Sequence, residues 1–262
     1  MTRVVFLGGG RITTALLAGL TLAKARFQFV VHDRNARKMR QLQKMYGSRS
    51  EPDLHLAIAQ AHLLIVAVRP DSIGDLLREI GKINEPLLAV SLAAGIPLRQ
   101  LMSKLGPPVR WARAMPSPTC RNGRGLTGLT FPRNLATRDR KRVREFFANM
   151  GQVVELPENK FDAFTVCYSA SHGYHALHTL ARAGRRAGLD HKTALLAAAH
   201  ALSDGIASWR EGKRSLKSLL REAATPGGIA AATMVAMDAV GYERAVARGV
   251  SAGLRRAAAN AK

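Results

Sequence analysis

Residues 3–34 read RVVFLGGGRITTALLAGLTLAKARFQFVVHDR, and this stretch decides the fold. An apolar run leads into three glycines, a helical pattern of apolar residues follows as far as Lys24, and a second β-rich run begins at Phe27. The second run ends at an acidic residue, Asp33. A strand, a glycine-rich turn, a helix and a strand with an acid at its end, in this order, predict a βαβ unit that binds a dinucleotide.

The glycine-rich turn supplies the physical reason for that prediction. Gly8 lets the backbone reverse tightly where the strand ends, and Gly10 lets it approach a pyrophosphate closely. The helix that begins there directs free N–H groups and its positive dipole end at the phosphates. The third small position of G-x-G-x-x-G/A is Thr13 here, so an α/β domain with a glycine turn and no cofactor is the alternative. The predicted cofactor contacts in the turn are Gly8, Gly10, Arg11 and Ile12.

The end of the second strand bears on the choice between NAD and NADP. Asp33 can accept hydrogen bonds from the adenosine ribose hydroxyls, which favours NAD. Arg34, with Arg37 or Lys38, can instead bind a 2′-phosphate, which favours NADP. A carboxylate beside that phosphate is repulsive unless it points away, so the sequence leaves the choice open. An ordinary helix cap followed by a solvated helix face is the third interpretation.

Composition limits the classes of protein to which the chain can belong. Its 262 residues are 47% hydrophobic, enough for one large or two modest cores. We find no apolar run long enough to span a membrane and expect no membrane partner. The chain runs directly from Met1 into a strand, so we expect no signal peptide. Cys120 and Cys167 give no disulfide framework, which favours the cytoplasm.

The formal net charge of +22 fits a polyanionic partner, or a solvated surface on which arginine has accumulated. Basic residues are spread along the whole chain, no nucleic-acid motif accompanies them, and aromatic residues make up only 5%. We therefore predict no specific nucleic-acid partner, and nonspecific binding at low salt. The same positive field favours a small anionic substrate and the phosphates of a cofactor.

Strand and helix patterns alternate as far as about residue 157, with a helix predicted over residues 51–60. This alternation predicts an α/β fold with a mostly parallel, doubly wound sheet of the Rossmann type. Residues at the carboxyl ends of such strands border the ligand crevice. The further predicted cofactor contacts are therefore Ala67, Val68, Arg69, Pro70, Ala93, Gly95, Met115 and Pro116.

From Glu158 onward the sequence pattern contains no further strand. One long helical pattern covers residues 161–187, and others follow between glycines as far as residue 259. We predict two domains, a dinucleotide-binding domain over residues 1–157 and an all-α domain over residues 158–262. The alanine-rich helices of the second domain are apolar on several faces, which predicts a homodimer or higher homo-oligomer formed through them.

Motifs spread over almost the whole chain resemble those of the pyrroline-5-carboxylate reductase family. They are Phe6-Leu7-Gly8-x-Gly10, Val68-Arg69-Pro70, Ser91-Leu92-Ala93-Ala94-Gly95-Ile96, Arg113-Ala114-Met115-Pro116, Asp162 at the start of the long helix, and Pro226-Gly227-Gly228. The resemblance implies a Rossmann domain, a helical dimerisation domain, and reduction of a cyclic imine acid, 1-pyrroline-5-carboxylate, to L-proline with NAD(P)H. The family favours NADP(H), whereas Asp33 favours NAD(H).

The helical domain departs from the family pattern. Where the family carries Ser-Gly-Ser-Gly-Pro-Ala-Tyr, residues 168–174 read YSASHGY, and only the final Tyr174 keeps its place. The family's Thr after the Pro-Gly-Gly turn, whose hydroxyl meets the substrate, is Ala230 here, and Thr233 lies one helical turn further on. These departures leave open a different imine or keto substrate, or a catalytically weak paralogue that binds NAD(P) as a sensor or interaction protein.

Reduction of an imine needs a placed hydride donor and a proton donor near the imine nitrogen. His172 can donate that proton or bind a substrate carboxylate near neutral pH, and the alternative is a histidine packed at a dimer interface. Gly227 and Gly228 can open a helix N-terminus that binds the substrate carboxylate. The predicted catalytic residues are Ser171, His172, Tyr174 and Thr233, and the predicted substrate contacts are Thr225, Gly227, Gly228 and Ala230.

Three histidines with a spacing of three residues raise the question of a metal site. Neighbouring pairs among His172, His175 and His178 share a helix face. No paired carboxylate and no cysteine spacing accompanies them, so we predict no metal.

Overall fold

The computed structural model describes residues 1–261, and eight strands in this range form one sheet. The strands are β1 (Thr2–Leu7), β2 (Phe27–His32), β3 (Arg49–Ser50), β4 (Leu63–Val66), β5 (Leu87–Ser91), β6 (Val109–Pro116), β7 (Gly125–Thr130) and β8 (Gly151–Glu155). Their order is β3-β2-β1-β4-β5-β6-β7-β8, and every neighbouring pair is parallel except β6 with β7. The predicted mostly parallel, doubly wound sheet is confirmed.

Helices connect the strands and then continue alone. In the first part of the chain they are α1 (Arg11–Leu22), α2 (Ala36–Tyr46), α3 (Leu54–Ala59), α4 (Ile73–Ile80), α5 (Leu98–Lys104) and α6 (Thr137–Ala148). In the remainder they are α7 (Glu158–Cys167), α8 (Ser171–Arg186), α9 (His191–Glu211), α10 (Leu216–Ala223), α11 (Ile229–Ala239) and α12 (Tyr242–Asn260). No strand follows β8 in the part of the chain that the structure describes, as predicted.

Each face of the sheet packs against its own helical layer. Alternate residues of β1 point to opposite faces, so Phe6 enters one core and Leu7 the other. The first core includes apolar residues of α1, α2 and α6, and the second includes those of α3, α4 and α5. Burial on both faces explains why the central strands read as nearly continuous apolar runs.

The contacts within the chain divide it into two units. The first comprises Met1–Tyr168 together with the segment from Gly253 onward, and the second comprises Ser169–Ala252. In the second unit α8 and α9 pack closely, since an added Cβ at Gly184 would lie 3.4 Å from the Cβ of Ala194. The domain boundary at residues 157/158 stays a prediction.

The prediction of one helix across residues 161–187 is wrong, because α7 ends at Cys167 and α8 begins at Ser171. Serines at this point compete with the helix for backbone groups. The Ser169 carbonyl accepts from the His172 N–H at 3.1 Å, a tighter turn than an α-helix makes. The Ser169 hydroxyl also lies 2.7 Å from that of Ser171.

The helix predicted over residues 51–60 begins later than expected, at Leu54. Pro52 disfavours helical backbone at Glu51, the residue before it. Asp53 then caps the helix, because its Oδ1 accepts from the Leu56 N–H at 2.8 Å.

Candidate active site

The glycine-rich turn lies where β1 meets the beginning of α1. Its first residue, Gly8, leaves no room for a side chain beside Ala67. Gly8 has a φ of 106°, in the region that side chains rarely adopt. A Cβ there would lie 2.8 Å from the carbonyl oxygen of Ala67, which follows β4. The Gly8 N–H donates to the His32 carbonyl at 2.8 Å, so the turn is tied to the ends of both neighbouring strands.

The beginning of α1 is open to a ligand. Gly10 is the N-cap residue, and a Cβ added to it would meet no atom within 4 Å. The first turn of α1 carries no acidic side chain, and Arg11 is exposed. The first N–H groups of a helix have no partner within the helix, so Arg11 and Ile12 present theirs to this open space. The arrangement can bind a pyrophosphate.

Thr13, the residue that departs from the glycine pattern, fits the turn. It is fully buried, and its hydroxyl donates to the Gly8 carbonyl. Helix α1 makes its close approach further along, at Gly19, where an added Cβ would lie 2.2 Å from the Cys120 carbonyl oxygen. A threonine at this position is therefore compatible with a dinucleotide-binding turn.

Asp33 is engaged by the backbone on both of its carboxylate oxygens. Oδ2 accepts from the Gly9 N–H at 2.7 Å, and Oδ1 accepts from the Asn35 N–H at 2.8 Å. The ammonium of Lys38 lies 3.6 Å from Oδ2, and the carboxylate side chain is only 12% exposed. Asp33 thus joins the glycine turn to the turn between β2 and α2.

A cleft of about 420 Å³ opens beside Asp33 and contains one cross-cleft ion pair. The Arg34 guanidinium contacts the Glu79 carboxylate, on α4, at 2.5 Å. The hydrogen bond and the charge of Glu79 raise the pKa of Arg34 above its ordinary value. The cleft is lined by His32, Asp33, Arg34, Ala36, Met39, Pro52, Asp53, Leu54, His55 and Glu79.

The residues predicted to follow β4 lie beyond the end of that strand, and those predicted after β6 are its last two residues. The Ala67 N–H donates to the Leu7 carbonyl at 2.8 Å, so the end of β4 adjoins the glycine turn. Val68 and Pro70 continue from there, and Arg69 forms an exposed ion pair with Asp71 at 3.1 Å. Met115 and Pro116 end β6 and pair with Gly128 and Thr127 of β7.

After β5, Ala93 and Gly95 are both buried. Gly95 has a φ of 80°, and an added Cβ would lie 2.3 Å from the carbonyl oxygen of Ala257 in α12. The side-chain amide of Asn260 donates to the Ala94 carbonyl at 3.1 Å. Close packing against the end of α12 therefore explains this glycine, and its contact with a cofactor stays a prediction.

The predicted catalytic residues lie on two exposed helices. Ser171, His172 and Tyr174 occupy the first turn of α8, and the Tyr174 side chain is largely exposed. Thr233 lies on α11, where its hydroxyl donates to the Ile229 carbonyl at 2.9 Å. The hydroxyl proton of Thr233 is therefore engaged within α11, although the hydroxyl oxygen can still accept a hydrogen bond.

The predicted substrate contacts surround the beginning of α11. Gly227 has a φ of 74°, and the Gly228 N–H donates to the Thr225 carbonyl at 2.9 Å. Gly228 is the N-cap, and the first turn, which includes Ala230, carries no acidic side chain. Its first N–H groups can donate to an anion. A Cβ added to Gly228 would lie 3.5 Å from the Thr225 hydroxyl oxygen, and Ile229 is 89% exposed.

Comparisons with known proteins identify the family of the chain. Residues 3–95 match the family described as NADP oxidoreductase, coenzyme F420-dependent, and residues 158–260 match the family described as pyrroline-5-carboxylate reductase dimerisation. A pyrroline-5-carboxylate reductase of Mycobacterium leprae is 32% identical over 79% of this chain and 73% of its own length. That of Thermus thermophilus is 30% identical over 97% of both. The chain belongs to the pyrroline-5-carboxylate reductase family.

Solved structures of pyrroline-5-carboxylate reductases share the fold. The Streptococcus pyogenes enzyme aligns with a TM-score of 0.90 at 20% identity, over 98% of both chains. A Plasmodium falciparum enzyme with NADP bound aligns with a TM-score of 0.88 at 19% identity, over 100% of this chain and 98% of that one. The match to the dimerisation family supports the expectation that the C-terminal helices form a homo-oligomer.

A buried arginine in β6, Arg113, connects this strand to neighbouring helices. In the sequence it stood out only as a member of the family-like motif Arg113-Ala114-Met115-Pro116. The Arg113 side chain is 2% exposed, and it donates to Glu158 at 3.1 Å and Asp162 at 3.0 Å. Its guanidinium lies 4.5 Å from the ring centre of Phe161. The same Glu158 oxygen accepts from the Leu98 N–H at 2.6 Å, so Arg113 ties β6 to α7 and α5.

The two cysteines and the possible metal ligands lie within residues 1–261, which the structure describes. Cys120 is buried, and burial raises the pKa of its thiol to about 11, so it stays protonated and is a poor nucleophile. Cys167 is exposed. Among residues 1–261, no group of three or more His, Cys, Asp or Glu side chains can hold a metal ion. No helix in the same range is both long and apolar enough to cross a membrane.

Proposed function

We propose that this protein reduces 1-pyrroline-5-carboxylate to L-proline with a reduced nicotinamide dinucleotide. The observation that carries the proposal is the open first turn of α1 beside Gly8 and Gly10, in a chain whose relatives of that name align over almost its whole length. The bound dinucleotide would supply the hydride that reduces the carbon–nitrogen double bond. The protein must then place the imine and protonate its nitrogen.

We assign these tasks to the following residues. The N–H groups of Arg11 and Ile12 would bind the pyrophosphate, where an open space replaces a side chain at Gly10. The further cofactor contacts would follow β4, β5 and β6. The free N–H groups at the beginning of α11 would bind the substrate carboxylate, and His172 or Tyr174 would supply the proton.

NADPH is the cofactor that we propose over NADH. Asp33 already accepts two backbone N–H bonds, at 2.7 and 2.8 Å, which leaves it fewer acceptor sites for ribose hydroxyls. Arg34, Arg37 and Lys38 follow it at the beginning of α2 and are exposed. These cations can bind a 2′-phosphate, which only NADPH carries. Dissociation constants for the two dinucleotides test this choice.

We propose that the active form is a homodimer built through the C-terminal helices. In the single chain α10 and α11 bury no residue, although α11 is composed mainly of apolar residues. An apolar cleft of about 480 Å³ lies between them, lined by Lys217, Leu220, Arg221, Ala224, Met234, Met237, Asp238 and Tyr242. A second copy would cover these surfaces. Cys120 and Cys167 are free thiols, which fits the cytoplasm that we propose as its location.

Light scattering during gel filtration tests the dimer. Val235→Asp places a charge on the exposed face of α11, and we expect it to halve the particle mass. Leu22→Asp, which places the same charge at the exposed last residue of α1, is the matched control and should leave the mass unchanged. A monomeric wild-type protein would overturn the proposal.

The decisive assay is oxidation of NADPH and NADH with 1-pyrroline-5-carboxylate at physiological salt. We expect turnover in the ordinary enzyme range, about 1–10³ s⁻¹. The first turn of α11, where Ala230 stands in place of the family's threonine, favours one second candidate, the reduction of another imine or a keto compound. Assays with a panel of other imines and keto compounds distinguish this candidate from the reduction of 1-pyrroline-5-carboxylate. Tight cofactor binding without turnover on any of them would instead assign the sensor or interaction role.

A further inference from the structure

The ion pair between Arg34 and Glu79 lies in the cleft beside Asp33. The proposed function would place a cofactor's 2′-phosphate in this cleft. We infer that Glu79 is a selectivity residue, which weakens NADPH binding relative to NADH by holding the Arg34 guanidinium. The inference rests on the proposed function, because it requires that the adenosine half of a dinucleotide lies at the end of β2. It concerns the affinity for the cofactor and is independent of the imine substrate.

The position of Arg34 makes it the cation to which the phosphate would turn. It directly follows Asp33, it lines the cleft, and its side chain is 76% exposed. Lys38, one of the two other candidate cations, already lies 3.6 Å from the Asp33 carboxylate. A guanidinium can bind a phosphate through two parallel hydrogen bonds, which an ammonium cannot.

Glu79 opposes that contact in two ways. Its carboxylate accepts a hydrogen bond from the guanidinium, so a phosphate must displace it. Its negative charge would also repel the 2′-phosphate, which carries about 1.5–2 negative charges at neutral pH. Because the Glu79 side chain is 44% exposed, the pair is weak enough to exchange for a phosphate when NADPH binds. NADH, which has hydroxyls there, meets neither obstacle.

The other carboxylates around the cleft have different partners. Both oxygens of Asp33 accept backbone N–H bonds, and Asp53 caps α3 through the Leu56 N–H. Asp75, one turn before Glu79 on α4, adds a smaller electrostatic contribution at Arg34. Its own partner is Arg78, at 2.8 Å. Glu79 is therefore the carboxylate of this cleft whose removal would release Arg34.

The test compares ligands that differ only in the 2′-phosphate. We would measure the dissociation constants of NADPH, NADH, 2′,5′-ADP and 5′-AMP for the full-length protein and for Glu79→Gln, at low ionic strength. Glutamine keeps the shape of the side chain and removes its charge. We expect NADPH and 2′,5′-ADP to bind roughly two- to fivefold more tightly to the variant, the range that one exposed ion pair contributes. NADH and 5′-AMP should be unchanged.

Two further variants make the result specific. Glu85→Gln removes the same charge from the exposed loop after α4 and should change none of the four constants. In an Arg34→Ala background, Glu79→Gln should lose most of its effect, because the guanidinium that it releases is gone. Equal tightening of all four ligands, no change, or weaker NADPH binding by Glu79→Gln would each overturn the inference while leaving the proposed function intact. Wild-type protein that binds none of the ligands would overturn both.

Discussion

A single carboxylate, that of Asp33, holds two turns in place. We expect Asp33→Ala to weaken the binding of NADPH and NADH together, by about tenfold or more, because it removes the acceptors of the Gly9 and Asn35 N–H groups. Hydrogen bonds to a charged group contribute about 1.5–3 kcal/mol each, so the glycine turn would lose its shape. Calorimetric titration with both dinucleotides measures the effect.

The matched control for this prediction is Asp53→Ala, which removes another carboxylate of the same cleft. Asp53 caps α3, so its loss should lower the free energy of unfolding by about 1 kcal/mol and leave both cofactor affinities unchanged. If Asp33→Ala weakened NADH alone, Asp33 would be a ribose ligand after all.

The two outer glycines of the turn are required for different reasons, and alanine separates them. Gly8→Ala demands a Cβ at a φ of 106° and 2.8 Å from the Ala67 carbonyl, so we expect a loss of at least about 1 kcal/mol of unfolding free energy. Gly10 has a φ of −81° and open space around its Cα, so Gly10→Ala should fold with at most about 1 kcal/mol lost.

Cofactor binding should fail in both variants. The Gly8→Ala methyl distorts the turn, and the Gly10→Ala methyl fills the space that we assign to the pyrophosphate. Thermal unfolding and NADPH titration measure the two effects side by side. Normal NADPH affinity in Gly10→Ala would exclude the pyrophosphate from this turn.

The residue types at Gly8, Gly10 and Asp33 indicated that these positions belong to the site. The direction of the Asp33 side chain could not be predicted from its residue type. An acid after the second strand can point toward a ribose or back along the turn, and the sequence is the same in both cases. Gly95 belongs to a motif that predicts a cofactor contact, yet its closest neighbour is Ala257, more than 160 residues away along the chain. Contacts of that sequence separation leave no local pattern.

Arg113 connects strand β6 to helix α7 through its two ion pairs. We expect Arg113→Met to lower the free energy of unfolding by about 2–3 kcal/mol, because Glu158 and Asp162 would lose their shared partner. Removing one partner of a fully buried ion pair lowers the free energy of unfolding by about 3–5 kcal/mol. Partial exposure of Glu158 and Asp162 reduces that value. Urea unfolding of the variant measures the change.

Arg78→Met is the comparison, because Arg78 pairs with Asp75 at 2.8 Å on the exposed face of α4. We expect it to change the unfolding free energy by less than about 1 kcal/mol. Equal losses in the two variants would mean that packing alone holds α7 to the sheet.

The elements that periodicity predicted best are those buried by apolar residues on both faces, such as β1 and β4. Boundaries set by polar side chains were harder to predict. The break between α7 and α8 depends on hydrogen bonds of Ser169, and the pattern of apolar residues runs through it without interruption. The late start of α3 depends on Pro52, a signal that was present in the sequence and outweighed by the helical pattern around it.

Over the whole molecule, the positive charge is unevenly divided between the two helical layers. The layer of α1, α2 and α6 includes Arg11, Arg37, Lys38, Arg40, Lys44, Arg138, Arg140, Lys141, Arg142 and Arg144, with Asp139 and Glu145 as its helical acids. The layer of α3, α4 and α5 includes Arg78, Arg99 and Lys104, with Asp75 and Glu79. An extended anion should therefore prefer the first layer.

This asymmetry predicts nonspecific binding to duplex DNA that depends on one face of the domain. Binding should be measurable near 50 mM salt and fall by orders of magnitude near 200 mM, because released counterions drive it. Arg40→Gln with Lys44→Gln, on α2, should lower the affinity and the slope against salt. Arg99→Gln with Lys104→Gln, on α5, removes the same charge from the other layer and should have a smaller effect. Equal effects of the two pairs of substitutions would mean that only the net charge of the protein matters. Wild-type binding that persists at physiological salt would contradict the expected absence of a specific nucleic-acid partner.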